Sequence, residues 1–261
     1  MKIVVINLAS EERRWEAVRG QLRAVGLEPV RFEAVRGAEL PRERIERLYD
    51  PRLNARLYHK PLKPGEIGCY ASHIAAWQRL LESGDRQLAV FEDDVDIDPD
   101  LPKVLDALGR TPDDWDMVKL IGRRRERMQT IRSMLTPDRE LVAYRRIPGL
   151  TCAYVINRRG AEKLLRSRVP FGRPIDIDLR HWWECDLRIR GVLPYPVHAA
   201  PSSLVSTIEG RRAPRDLETR LRKFLFQARY CVANWNAGHA GAGAIPERTR
   251  RRRDLADHAT P

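Results

Sequence analysis

Cysteine is scarce and scattered in this chain. Cys69, Cys152, Cys185 and Cys231 form no CxxC pair and no ligand repeat, which excludes a zinc ribbon or finger. No apolar run is long enough to span a bilayer. The N-terminus passes straight into KIVVINL, without a charged leader, a long apolar core or a cleavage site, so a cytoplasmic protein with reduced thiols is expected. No internal repeat suggests a solenoid. Acids are outnumbered, 36 Asp+Glu against 48 Lys+Arg, and the formal charge of +12 suits anionic partners: nucleotide phosphates, nucleic acid or an anionic membrane. Sign alone does not choose among these.

What the chain does contain is an alternation of strand and helix patterns. Residues 2–8 read as a buried strand, Ser10 as the N-cap of a helix over 11–25, Gly26 as its stop and 30–34 as a second strand, a βαβ opening. Pro64 and Gly65 introduce a helix over 66–83, closed by Gly84. Strands are expected at 87–91, 117–121, 141–144 and 151–156, with helices near 101–108 and 160–166. The charged stretch 41–60 reads as a helix and a loop. This is an α/β pattern, expected to fill residues 1–210. Residues 211–236 form a basic amphipathic helical extension, with Leu217, Leu221, Phe224, Leu225 and Ala228 on one face, to lie on a membrane or pack on the domain. The Gly/Ala-rich, Arg-rich tail 237–261 is expected to be disordered.

The densest chemistry is QLAVFEDDVDID, residues 87–98, where a short apolar strand empties into Glu92, Asp93, Asp94, Asp96 and Asp98. In open α/β sheets ligands bind outside the carboxyl ends of the strands. Clustered carboxylates repel unless a cation or solvent offsets them, and hard cations such as Mg²⁺ and Mn²⁺ take such oxygens while leaving positions for phosphate. Spacing alone leaves a second reading open, a solvated acidic turn capping the helix after Asp100.

Three further segments offer functional groups. Arg13 and Arg14 open a helix that can approach a phosphate, or pair with Glu11, Glu12 or Glu16. In EIGCYASH, Gly68 lowers helix propensity and suits a close approach to the backbone, while Ser72 and His73 supply hydrogen-bonding groups. In PIDIDLRHWWECDLRIRG, Asp176, Asp178, Glu184 and Asp186 surround Trp182 and Trp183. Either the tryptophans stack on a sugar beside a general base, or they pack the core while the acids pair with Arg180, Arg188 and Arg190.

In order along the chain, VINLASEERR (5–14), FEAVRG (32–37), LKPGEIGCYASHIAAWQ (62–78), AVFEDDV (89–95), TCAYVINRRGAEKLL (151–165), PID (174–176) and, more loosely, APSSLVSTI (200–208) resemble glycosyltransferase family 25, the bacterial lipooligosaccharide galactosyltransferase family that includes the collagen galactosyltransferases. The resemblance covers residues 1–210. It implies a GT-A-like, Rossmann-type nucleotide-sugar-binding fold with a central, mostly parallel sheet. It also implies metal-assisted, inverting transfer of a hexose, with galactose from UDP-galactose as first candidate, to a hydroxyl of a lipooligosaccharide or other surface glycan. On this resemblance Asp93 and Asp94 are candidates for Mn²⁺ or Mg²⁺. Asn7, Leu8, Arg14, Glu66, Ser72, His73 and Glu92 are candidates for the donor pocket. Asp176 is the first choice for the base or a further metal ligand, with Glu184 and Asp186 as alternatives. The partners implied are a nucleotide-sugar donor and a glycan or glycolipid acceptor, and the basic tail adds an anionic inner-membrane surface as a further expected partner.

Two other readings compete. One is a basic nucleic-acid-binding protein using Arg123 to Arg127 and Arg250 to Arg253, although no aromatic side chains interleave with those runs and no specific nucleic acid is implied. The other is a nucleotide-sugar binder without catalysis.

Overall fold

An eight-stranded sheet, layered by helices on both faces, organises the chain. The structure, a computed structural model, describes residues 1–112, 114–122, 128–200 and 217–242. The basic runs at 123–127 and 250–253 and most of the 200–208 motif lie outside the described residues.

The opening unit is β1 (Lys2–Asn7), α1 (Glu12–Ala24) and β2 (Val30–Glu33). Next come α2 (Arg42–Leu48), α3 (Pro51–Leu57) and the long α4 (Pro64–Glu82), which leads into β3 (Gln87–Glu92), β4 (Val95–Ile97) and α5 (Leu101–Arg110). The second half holds β5 (Met117–Lys119), β6 (Met128–Thr136), β7 (Arg139–Tyr144), β8 (Ala153–Asn157), α6 (Arg158–Ser167), α7 (Ile175–Asp178), β9 (Ile189–Leu193), β10 (Val197–Ala199) and α8 (Leu217–Ala242).

The sheet order is β2-β1-β3-β8-β5-β9-β7-β6. From the pairings, β2, β3, β5, β9 and β6 run in the direction of β1, and only β8 and β7 run against it. The expected mostly parallel α/β sheet is therefore what forms. Strand alternation splits β1 between two cores. Val4 and Ile6 face Tyr70, Ile74, Trp77 and Leu164 under α4 and α6. Ile3 and Val5 face Trp15, Val18, Leu22, Leu101 and Leu105 under α1 and α5.

Gly68 was expected to admit something close to the helix backbone, and a neighbouring loop does come that close. A Cβ on Gly68 would sit 2.4 Å from the Val35 carbonyl oxygen and 2.5 Å from the Gly37 nitrogen, and one on Gly37 would strike the Pro64 carbonyl. The FEAVRG and GEIGC segments thus lie backbone to backbone, as only glycine allows.

Several expectations are corrected. Ser10 does not cap α1: the helix boundary falls at Glu11, with no side-chain cap. Asp96 and Asp98 do not sit in a solvated turn. Asp96 lies in β4, which pairs antiparallel with β10, and Asp98 contacts Arg139 at 2.8 Å and His198 at 3.1 Å. Asp100 caps nothing with its side chain and pairs with Arg139 instead. The extension is helical, but α8 continues through Ala242, beyond the expected end at 236. It packs on the domain through Tyr230, which is buried against His181 and Trp183, and through Asn234, which donates to the Arg145 carbonyl oxygen. Leu221, Phe224 and Leu225, expected on one helical face, are exposed, as are Val232 and Trp235. Among the described residues no helix is long and apolar enough to cross a membrane.

Candidate active site

Because β1, β3 and β5 run the same way, their carboxyl ends deliver Asn7, Glu92 to Asp94 and Lys119 to one edge of the sheet. β8 runs against them, so its first residues, with Cys152 just before, arrive at that same edge. The N-terminal part of α4 adds Glu66, Cys69 and His73.

Asn7 orders the acidic turn. Its Nδ2 donates to Asp93 Oδ2 at 2.6 Å and to the Glu11 carbonyl at 3.0 Å, while its Oδ1 accepts from the Arg31 guanidinium at 2.6 and 2.9 Å. Arg14 reaches Asp93 Oδ1 at 3.3 Å and Asp94 Oδ2 at 3.6 Å. Both oxygens of Asp93 are thereby engaged. Asp94 differs: its Oδ1 is buried with no hydrogen-bond partner. Burial, and then the neighbouring Glu92 carboxylate, push Asp94 up to about 6 despite Arg14. Asp93 is also raised by burial, with Asn7 and Arg14 opposing.

Glu92 is held from behind. Trp77 Nε1 donates to the Tyr154 hydroxyl at 2.9 Å, and that hydroxyl lies 2.9 Å from His73 Nδ1. A carboxylate only accepts, so His73 Nε2 presents its proton to Glu92 Oε1 at 3.2 Å, and in that tautomer the Tyr154 hydroxyl, which accepts from the indole, donates to Nδ1. His73 is fully buried, so this chain of hydrogen bonds fixes the carboxylate that joins Asp94.

Oxygens of Glu92 and Asp94 lie with Cys152 Sγ within 4.8 Å of one another. Burial raises the Cys152 thiol well above its ordinary range, which keeps it protonated and leaves the two carboxylates as the donors. An orphaned carboxylate oxygen beside a like charge, in an oxygen-rich turn, fits a hard divalent cation with positions to spare for phosphate.

Asp176, on α7, belongs to the same neighbourhood. The Cys69 thiol is raised by burial and then by the charges of Glu92, Asp176, Asp94 and Glu66, so all four acids act on one side chain. Asp176 itself is raised by burial, against the pull of Lys119 and Arg180.

The remaining sequence candidates occupy other roles. Ser72 accepts from the Val35 N–H and donates to the Gly68 carbonyl, both at 2.8 Å, locking α4 to the Gly37 loop. Glu66 accepts from the Lys63 N–H at 2.7 Å and pairs with Lys60, closing the first turn of α4. Leu8 contributes its carbonyl to the Glu11 N–H. Glu184 binds Arg168 at 2.5 Å and Arg173 at 2.8 Å, rather than Arg180, Arg188 or Arg190, and is held down at about 2 despite its burial. Asp186 pairs with Lys163, which also binds Asp116. Asp116 precedes β5, so Asp186 lies at the opposite edge of the sheet from Asp94. Trp182 and Trp183 pack on each other and against α8.

Lys119 is a residue that sequence reasoning missed. It is fully buried, and its Nζ donates to the carbonyls of Pro148, Gly149 and Leu150, where Leu150 adopts a φ of 57°. A lysine inside the apolar run MVKLI was the available signal.

The fold and this edge define an α/β domain with a half-buried acidic turn at its strand ends. The family model for glycosyltransferase family 25 (LPS biosynthesis protein) matches residues 1–178, and the chain belongs to that family. Among similar proteins, a glycosyltransferase 25 family member of Drosophila pseudoobscura pseudoobscura is 27% identical over 67% of this chain and 28% of its own length. The human procollagen galactosyltransferase 2 is 28% identical over 68% of this chain and 29% of its own. A rat protein named probable inactive glycosyltransferase 25 family member 3 is 28% identical over 76% and 38%. The chain thus spans about three tenths of the length of the first curated relatives it matches. A solved inositol-1-phosphate CTP transferase from T. maritima superposes over 81% of this chain and 78% of its own, with 12% identity and a TM-score of 0.35.

Proposed function

We propose that this chain transfers a hexose from a nucleotide-diphosphate sugar, UDP-galactose being the first candidate, to a hydroxyl of a lipooligosaccharide or other surface glycan, with inversion. The observation that carries the reading is the unpartnered Asp94 Oδ1 beside Glu92, at the strand ends where Asn7 and Arg14 hold the acidic turn. The names of the matched family and of the human relative, LPS biosynthesis and procollagen galactosyltransferase, supply the substrate class.

Asp94 and Glu92, with Asp93 adjoining, would hold Mn²⁺ or Mg²⁺, which when bound offsets negative charge on the departing UDP. Arg14 offers its guanidinium to the donor diphosphate from across the acidic turn. Asn7 fixes the rotamer of Asp93, and His73 that of Glu92, so neither carboxylate must reorganise as charge develops. Asp176 takes the proton from the acceptor hydroxyl as it attacks the anomeric carbon. Its raised affinity for protons suits that task. Glu184 is committed to two guanidinium groups and Asp186 faces the far edge, which favours Asp176 among the three candidates.

The exposed Leu221, Phe224, Leu225, Val232 and Trp235, with Arg220 and Arg229 on the same helix, fit peripheral contact with an anionic membrane, as a cytoplasmic-face enzyme acting on a lipid-linked acceptor would make. Co-sedimentation with anionic vesicles, weakened by Phe224→Glu, is the expected result.

The donor reading is tested by thermal shift of the full chain against a panel of nucleotide sugars, with and without Mn²⁺. Stabilisation by UDP or a UDP-sugar that depends on Mn²⁺ is expected. No response to any nucleotide sugar in either condition would sink it. Binding without turnover would favour a non-catalytic binder, a reading supported by the name of the rat relative.

A further inference from the structure

A cavity of about 330 Å³ opens between the segment after α3, the region of α7 and the inner face of α8. The proposed chemistry makes no use of it. Its walls include Tyr58, His59, Phe226 and Tyr230, and its charged members include Arg180 and Lys223. The volume is at the lower end of the range of about 300–1,000 Å³ for small-molecule sites.

Two features set it apart from an ordinary surface cleft. Neither Arg180 nor Lys223 has a carboxylate within ion-pair distance among the described residues. Arg180 lies over the Tyr230 ring at 4.4 Å, and its Nε is buried without a hydrogen-bond partner. A buried N–H without an acceptor is costly, and an anion bound beside the half-buried guanidinium would supply that acceptor. The two histidines lining the cavity add no charge. Burial and then Lys223, Lys60 and Arg222 lower His59 to about 4, and burial and then Arg173 lower His181 to about 4. The cavity is therefore cationic through fixed charges, with aromatic faces of the kind that take the apolar face of a sugar ring.

Its position ties it to the chemistry. Ile177, which follows Asp176 on α7, lines the wall, as does Arg180. Tyr58 is raised by burial and then by Glu66 and Asp176. Asp176 thus adjoins a wall residue of the cavity in sequence, and its charge raises both Tyr58 beside the cavity and Cys69 beside Glu92.

We infer that the cavity is an acceptor subsite that holds an anionic sugar residue, a sugar phosphate or a uronate, beside the hydroxyl that attacks. The inference rests on the reading of Asp176 as the base. Arg180 and Lys223 hold the anion, and Tyr58 offers its ring to the sugar.

The test is calorimetric binding of glucose 6-phosphate, glucuronate and glucose to the full chain and its Arg180→Gln, Lys223→Gln and Asp94→Asn variants, with UDP plus Mn²⁺ titrated in parallel. The charged sugars are expected to bind at least about tenfold more tightly than glucose, and that preference should fall about tenfold in Arg180→Gln. It should also fall in Lys223→Gln, whose exposed position makes misfolding an inadequate explanation, and persist in Asp94→Asn. Whichever charged sugar binds more tightly distinguishes phosphate from carboxylate. Equal or absent binding of charged and neutral sugars would overturn the inference. So would Arg180→Gln weakening UDP with Mn²⁺ while sparing glucose 6-phosphate, because the cavity would then serve the donor. If the wild type ignored UDP with Mn²⁺ yet bound glucose 6-phosphate through Arg180, the donor reading would fall and the anion subsite would stand.

Discussion

Replacing Asp94 by asparagine should make the metal-free protein more stable. Asp94 moves from an ordinary 3.8 to about 6 in the fold, through burial and then Glu92, and its side chain is only 19% exposed. A carboxyl whose folded value is raised adds nothing to the pH dependence below about 4, where both states are protonated. It destabilises increasingly as pH rises toward 6, and the full penalty applies above that. At about 1.4 kcal/mol per pH unit the penalty approaches about 3 kcal/mol. The amide in its place would carry no charge and would keep the shape, losing only the contact with Arg14 at 3.6 Å. Urea denaturation of the metal-stripped protein should therefore show Asp94→Asn more stable at pH 8 by up to about 3 kcal/mol, or by several degrees in Tm for a chain of this size. The gain should vanish near pH 4. Saturating Mn²⁺ should stabilise the wild type and not the variant, since only the former has the carboxylate to bind it. If Asp94→Asn were less stable than wild type at pH 8, or kept the full response to Mn²⁺, the picture of a strained, cation-seeking turn would be refuted.

Three other substitutions separate scaffold from site. Glu184→Gln should destabilise the fold at neutral pH by about 1–3 kcal/mol, because Arg168 and Arg173 are buried and lose their charged partner. Glu184 is depressed to about 2, so its contribution is complete above about 4.5 and lost as pH falls through 2, and acid denaturation of wild type and variant should converge there. Gly68→Ala should cost at least about 1–3 kcal/mol in urea denaturation, since its Cβ meets backbone at 2.4 Å and one side must move. Tyr154→Phe strands both the Trp77 N–H and His73 Nδ1. A loss of about 2 kcal/mol or more is expected, together with weaker Mn²⁺ affinity through the loosened Glu92, both readable in one metal-dependent melting series.

The parts of this molecule that were legible in the sequence are those fixed by local pattern. KIVVINL alternates between two cores, Gly68 signals a close backbone approach, and the acids that follow AVF announce a strand end. Partnerships across long separations were not legible. Asn7 and Asp93 meet across 86 residues, and nothing local tells that Asn7 clamps one acid and leaves its neighbour with a bare oxygen. Nor does anything in the sequence tell that Glu66, beside its place near Cys69, also closes the first turn of its own helix. Short strands rich in charge were hidden too. VDI carries an acid and, among the described residues, pairs with the distant VHA, so no periodicity could reveal it. The aromatics of HWWE kept both their readings until α8 was seen packed on them.

Whether the acidic turn and Asp176 together turn over a nucleotide sugar is read most directly from release of UDP from UDP-galactose by the full chain, measured in Mn²⁺ for wild type, Asp94→Asn and Asp176→Asn. Mn²⁺-dependent release by the wild type and its loss in Asp94→Asn are expected. Asp176→Asn should lower release by about 10²–10⁴-fold with UDP affinity retained, the range a general base supplies. Unchanged release in both variants, or release indifferent to Mn²⁺, would contradict these roles.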